Sequence, residues 1–146
     1  MYGLNCLCVD QSAFVFIGFY LKNFMTQHEE KEKFFREALS WAERKGFHTI
    51  KASFGDFERP KSFKSLSMEY AFSPDMSAIK RTHKNYFEIG LKADDGVRRI
   101  ATRWKLLATL AAREGGKLYI LAPRGHRSFV QGMIDQYKLN SQVVSI

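Results

Sequence analysis

The sequence predicts an α/β fold, a mixed β-sheet flanked by helices in the order αβββαβ, with a further αβ pair at the end. Three observations predict it. Segments with period-two alternation stand beside segments whose apolar residues recur at helical spacing. The first three strands are close in sequence and can pair as a meander, whereas the later strands follow helices and should pair in parallel through crossovers. The chain has 146 residues, 45% of them hydrophobic, with 13 Phe, 6 Tyr and 2 Trp. That suits one compact domain with a packed interior and excludes a wholly disordered chain.

The first 24 residues differ from the rest. Ser12 to Leu21 (SAFVFIGFYL) is apolar, but no basic n-region or small-residue cleavage site accompanies it, so it does not read as a signal peptide. No apolar run reaches the ~18–20 residues of a membrane span. Residues 1–24 therefore read as an apolar extension: an extra strand, an appendage, or a start misplaced ahead of Met25. Residues 25–146 read as a single α/β domain. Thr26-Gln27-His28-Glu29 has the form of a capping box, followed by an apolar face of Phe34, Phe35, Ala38, Trp41 and Ala42. Gly46 should stop this helix. Phe47 to Phe54 is the first predicted strand, and Gly55 to Lys64 a loop. Met68 to Lys80 is the second strand, bent at Ser73-Pro74 because proline cannot donate to a ladder.

Arg81 to Asn85 is the predicted turn. Tyr86 to Lys92 is the clearest strand, with Phe87, Ile89 and Leu91 on one face and Tyr86, Glu88, Gly90 and Lys92 on the other. Asp94-Asp95-Gly96 supplies acidic residues for the start of a second helix reaching Arg113. Its buried stripe includes Ala101, Trp104, Leu107, Ala108 and Ala111. Lys117 to Ala122 is almost wholly apolar, as a strand covered on both faces should be. A last helix spans His126 to about Leu139, and Gln142 to Ile146 is a candidate final strand.

The charge balance is 23 Lys+Arg against 15 Asp+Glu, net +8. A surplus of this size favours an anionic partner: nucleic acid first, an acidic membrane surface or protein second. The competing reading is a soluble protein that is merely basic. Cys6 and Cys8 are too close for an ordinary disulfide, and two sulfurs do not make a zinc site. The composition reads as a reduced, cytoplasmic protein.

Two acids carry the chemical argument. A turn centred between Arg81 and Thr82 places Asp75 opposite Glu88, on one face and with Cβ atoms roughly 5 Å apart. Two carboxylates that close call for a cation, and Mg²⁺ takes such oxygen ligands. Lys92 projects from the Glu88 face and could orient a metal-bound water.

Ser73-Pro74-Asp75, a hairpin, and Phe87-Glu88-Ile89-Gly90-Leu91-Lys92, set in an αβββαβ order, resemble the PD-(D/E)XK nuclease superfamily. The resemblance implies a restriction-endonuclease-like fold. It also implies Asp75 and Glu88 as metal ligands and catalytic residues for Mg²⁺-dependent hydrolysis of phosphodiester bonds in DNA, with Lys92 assisting the water. It spans roughly Thr26 to Ala122 in element order but only a few residues in motif. The family lysine stands two residues after the acid, where this chain has Gly90. Either the lysine has migrated to Lys92, or catalysis is lost and the fold serves binding to nucleic acid or a protein. Related folds often work as dimers, so a homodimer stays open. No organic cofactor and no membrane are expected.

From Asp94 onward there are nine Lys+Arg against four Asp+Glu, so most of the surplus lies here. Arg98, Arg99 and Arg103 on the second predicted helix, and Arg124 and Arg127 at the start of the last, are candidate phosphate contacts. A solvated helix face is the plain alternative. Tyr86 shares the Glu88 face, with packing as its expected role. His126 is a candidate cap.

Overall fold

In the computed structural model the described residues are 11–66 and 70–146, with side chains from residue 27 onward. The chain divides into two compact units, Met1–Lys33 and Phe34–Ile146. The first contributes the early turns of helix α1 (Gln11–Arg44), which is 34 residues long. The helix therefore begins well before Thr26, and the capping-box sequence lies inside it. Of the readings open for residues 1–24, an extra strand does not hold for Ser12–Leu21, which is helical. Nothing from there to Arg44 breaks a helix: there is no proline and one glycine, Gly18. A Thr-x-x-Glu spacing is equally at home inside a helix.

The second unit holds the sheet. After the last turns of α1 come β1 (His48–Ala52), β2 (Met76–Lys80), β3 (His83–Ile89), α2 (Val97–Arg113), β4 (Leu118–Ala122), α3 (Arg127–Tyr137) and β5 (Ser141–Ser145). The five strands lie in the order β1-β2-β3-β4-β5. β1, β2 and β3 pair antiparallel; β3, β4 and β5 pair parallel. The chain is thus an α/β fold with an open mixed sheet: meander first, crossovers after.

Each sheet face carries its own core. Phe35, Ala38 and Ala42 of α1 pack with Ala52, Met76, Ala78, Phe87, Ile89 and Leu121. On the opposite face, Ala101, Trp104, Leu107, Ala108 and Ala111 of α2 pack with Val130, Met133 and Ile134 of α3 and with Tyr86, Leu118 and Ile120. The alternation expected for β3 is realised, because Phe87 and Ile89 enter one core and Tyr86 the other. β4 is covered on both sides, as its apolar run required.

Boundaries shift where local chemistry is stronger than pattern. The second strand begins only at Met76. Before Pro74 the chain makes a lone antiparallel bridge between Phe63 and Phe72, and the predicted start at Met68 lies outside the described residues. The turn contracts to Arg81-Thr82, with Arg81 at φ +58°, and β3 therefore starts at His83. The first helix stops at Gly46, φ +81°, as its position predicted. Asp94 and Asp95 do not cap α2; its N-cap is Gly96 at φ +68°, with no side-chain hydrogen bond. On the edge strand β1 the register slips between His48 and Lys51, and Thr49 sits at φ +52°. Such a bulge blunts a sheet edge against pairing with another chain. Among the described residues no helix is long and apolar enough to cross a membrane.

Candidate functional site

The hairpin register decides where the acids meet. Met76 pairs with Phe87 and Ser77 with Tyr86, so Asp75 and Glu88 fall opposite each other one step further along. Both are buried, Asp75 at 6% exposure and Glu88 at 1%. Each is held by backbone next to the other. The Asp75 N–H donates to Glu88 Oε1 (3.1 Å), and the Ile89 N–H donates to Asp75 Oδ2 (2.9 Å).

A cation does lie against the pair, and it belongs to the chain. Arg103, from the second turn of α2, donates through Nε to both Glu88 oxygens (3.2 Å each) and through Nη2 to Glu88 Oε1 (2.9 Å). The same Nη2 donates to the Ser73 carbonyl (2.6 Å) and stands 3.8 Å from Asp75 Oδ1. The guanidinium also lies over the Phe72 ring, 5.9 Å from its centroid. Burial alone would weaken the proton's hold on Arg103. The fields of Glu88 and Asp75, with the Glu88 hydrogen bond, outweigh that and raise its pKa, so the side chain is charged at any working pH. Arg103 is thus directed to the carboxylates and the Ser73 carbonyl, whereas the sequence suggested an outward phosphate contact.

Gly90 is the other informative position. A Cβ built there would come 2.6 Å from Val130 Cγ2 and 2.8 Å from Ile120 Cγ2. Helix α3 and strand β4 have closed over the place where a side chain two residues after Glu88 would project. Lys92 lies beyond the end of β3 and is exposed. Its backbone N–H donates to His126 Nδ1 (2.8 Å), so His126, the N-cap residue of α3, ties the β3–α2 connection to the start of that helix while its side chain makes no capping hydrogen bond.

The remaining arginines face solvent. Arg98, Arg99, Arg124 and Arg127 are all exposed. Arg99 stacks over Tyr70 at 5.7 Å, and Arg127 donates to the Ser145 hydroxyl. Tyr86 is buried, and its hydroxyl donates to Glu114 (3.1 Å), away from the carboxylate pair. Burial, reinforced by the Glu114 charge and hydrogen bond, pushes its pKa up.

Sequence reasoning missed the inward turn of Arg103 and the closure over Gly90. A signal for the first was present. Arg103 is one residue step from Trp104, at the border of the buried stripe, while Arg98 and Arg99 lie further round the helix. Among the described residues no group of three or more His, Cys, Asp and Glu side chains gathers as a metal site. Comparison with known proteins finds no match to a family model, to a curated protein or to a solved structure.

Proposed function

We propose that this chain is a nuclease-like module that binds DNA through its basic helical surface and does not cut it. The observation that carries this reading is the Arg103 guanidinium set against both acids. The carboxylates do not fit a Mg²⁺ ion as they stand. Both Glu88 oxygens accept from Arg103, one Asp75 oxygen accepts a backbone N–H, and the other lies 3.8 Å from the guanidinium. A hard cation wants oxygens it can share with water, without a fixed positive charge in the same space. The filled space at Gly90 supports the same reading, since a lysine there would collide with Val130 and Ile120.

Binding would rest on Arg98, Arg99, Arg124 and Arg127, which can contact phosphates without leaving buried partners behind. Such contacts carry affinity and salt dependence but little sequence choice. The facing register of Asp75 and Glu88 favours a second reading, a Mg²⁺-dependent DNA hydrolase assisted by Lys92.

Fluorescence anisotropy with labelled duplex DNA over a salt series, paired with a cleavage assay in Mg²⁺ and Mn²⁺, separates the two. Under the binding reading the duplex stays intact, and R98A/R99A flattens the log K against log salt slope by up to about 2. Metal-dependent cleavage lost in D75A and E88A would replace binding with hydrolysis. An unchanged slope in R98A/R99A would remove these two arginines from the interface.

A further inference from the structure

A second feature involves different residues. The last turns of α1 and the end of β5 line an open cleft of about 410 Å³, formed by Arg36, Glu37, Ser40, Trp41, Arg44, Ser145 and Ile146. That volume is within the range of small-ligand sites. The sequence builds it in two rows. Arg36, Ser40 and Arg44 are spaced four apart and line up along the helix; Glu37 and Trp41 form the row beside them. The first row spans about 12 Å.

The chemistry of the wall is specific in kind. Arg36 and Arg44 offer two guanidinium forks to the cleft, a geometry suited to phosphate oxygens. Neither Arg36 nor Arg44 makes an ion pair among the described residues. Trp41 is anchored from behind by Phe47 (centroids 6.0 Å apart) and Tyr119 (5.7 Å). It therefore gives a rigid aromatic wall, and Ile146 adds an apolar one. Glu37 supplies an acceptor that a ribose diol or a base amino group can use. We propose that this cleft binds a nucleoside monophosphate. Arg36 and Arg44 take the phosphate, Trp41 and Ile146 contact the base, and Glu37 accepts from the sugar or base.

Calorimetry and tryptophan fluorescence with AMP and GMP test the proposal, with inorganic phosphate and adenosine as partial probes. The expected result is binding of at least one nucleotide, more tightly than either partial probe. R36A and R44A should each weaken it about tenfold or more. Both arginines are exposed, so these variants should keep the fold. W41F should abolish the fluorescence change, because the other tryptophan, Trp104, is buried in the opposite core. R98A/R99A should leave the affinity unchanged, which keeps this result separate from the DNA-binding reading. No nucleotide binding at millimolar concentration would overturn the proposal. So would binding indifferent to R36A and R44A, binding lost in R98A/R99A, or phosphate alone binding as tightly as the nucleotide.

Discussion

Arg99 and Arg103 are one turn apart on α2, yet they lie in different surroundings. Arg99 is exposed and rests over the Tyr70 ring, its charge open to solvent. Arg103 turns inward to two carboxylates and a carbonyl, with 26% of its side chain exposed. A buried charge pair is near break-even against an apolar core, but removing one partner strands the other at full desolvation cost. A surface charge adds little to stability and keeps its field available for a phosphate. The same residue type on one helix thus serves structure at one position and leaves a charge at the surface at another.

The largest expected effect separates the two. R103A should destabilise the protein by about 3 kcal/mol, the lower part of the range for a broken buried pair, because Arg103 is partly exposed. R99A should stay within about 0.5 kcal/mol of wild type. Urea denaturation at constant ionic strength reads both. Adding E88Q to R103A should recover part of the loss, since it removes the stranded charge. If R103A and R99A cost the same, the inward pair is not a structural element and the contrast fails.

Gly90 extends the comparison from charge to volume. G90A forces a methyl against Val130 and Ile120 and should cost about 1–3 kcal/mol, by the same denaturation measurement. G90K should cost more, because it also places an ammonium where two apolar side chains meet. A G90K protein of wild-type stability that cleaves DNA with Mg²⁺ would break the argument that this corner is closed.

These outcomes bear on what the sequence made legible. The Asp75–Glu88 opposition followed from a turn at Arg81-Thr82 and strict period-two geometry, both local properties. The two faces of β3 and the double burial of β4 followed from the same alternation. Arg103 was less accessible to such reasoning, since its partners are fifteen and twenty-eight residues away in sequence. Two facing acids call for positive charge without naming its source, and a border residue of α2 supplies some of it here. The closure over Gly90 depends on how α3 docks, which no spacing near Glu88 encodes. The start of α1 is not legible from its capping box, because that is a local signal and helix continuation depends on whether anything upstream interrupts it.

The smallest effect sharpens the contrast on the same sheet face. Tyr86 meets Glu114 much as Glu88 meets Arg103, but its side of the pair is neutral. Its pKa is raised above the ordinary 10.0, first by burial and then by Glu114. The folded state therefore resists losing this proton, whereas the unfolded chain loses it near pH 10. The stabilisation is complete below pH 10 and declines as pH rises beyond it. Y86F should cost about 1 kcal/mol at pH 7, the scale of one hydrogen bond. That gap should narrow above pH 10, where wild type loses stability faster than Y86F. Tyr119, whose pKa burial also raises, should leave a common residual slope in both proteins. Parallel urea midpoints of wild type and Y86F from pH 9 to 11.5 would show that Tyr86 carries no such linkage. A narrowing gap would place the neutral pair and the ionic pair in separate pH regimes, because the Arg103 proton is held throughout this range.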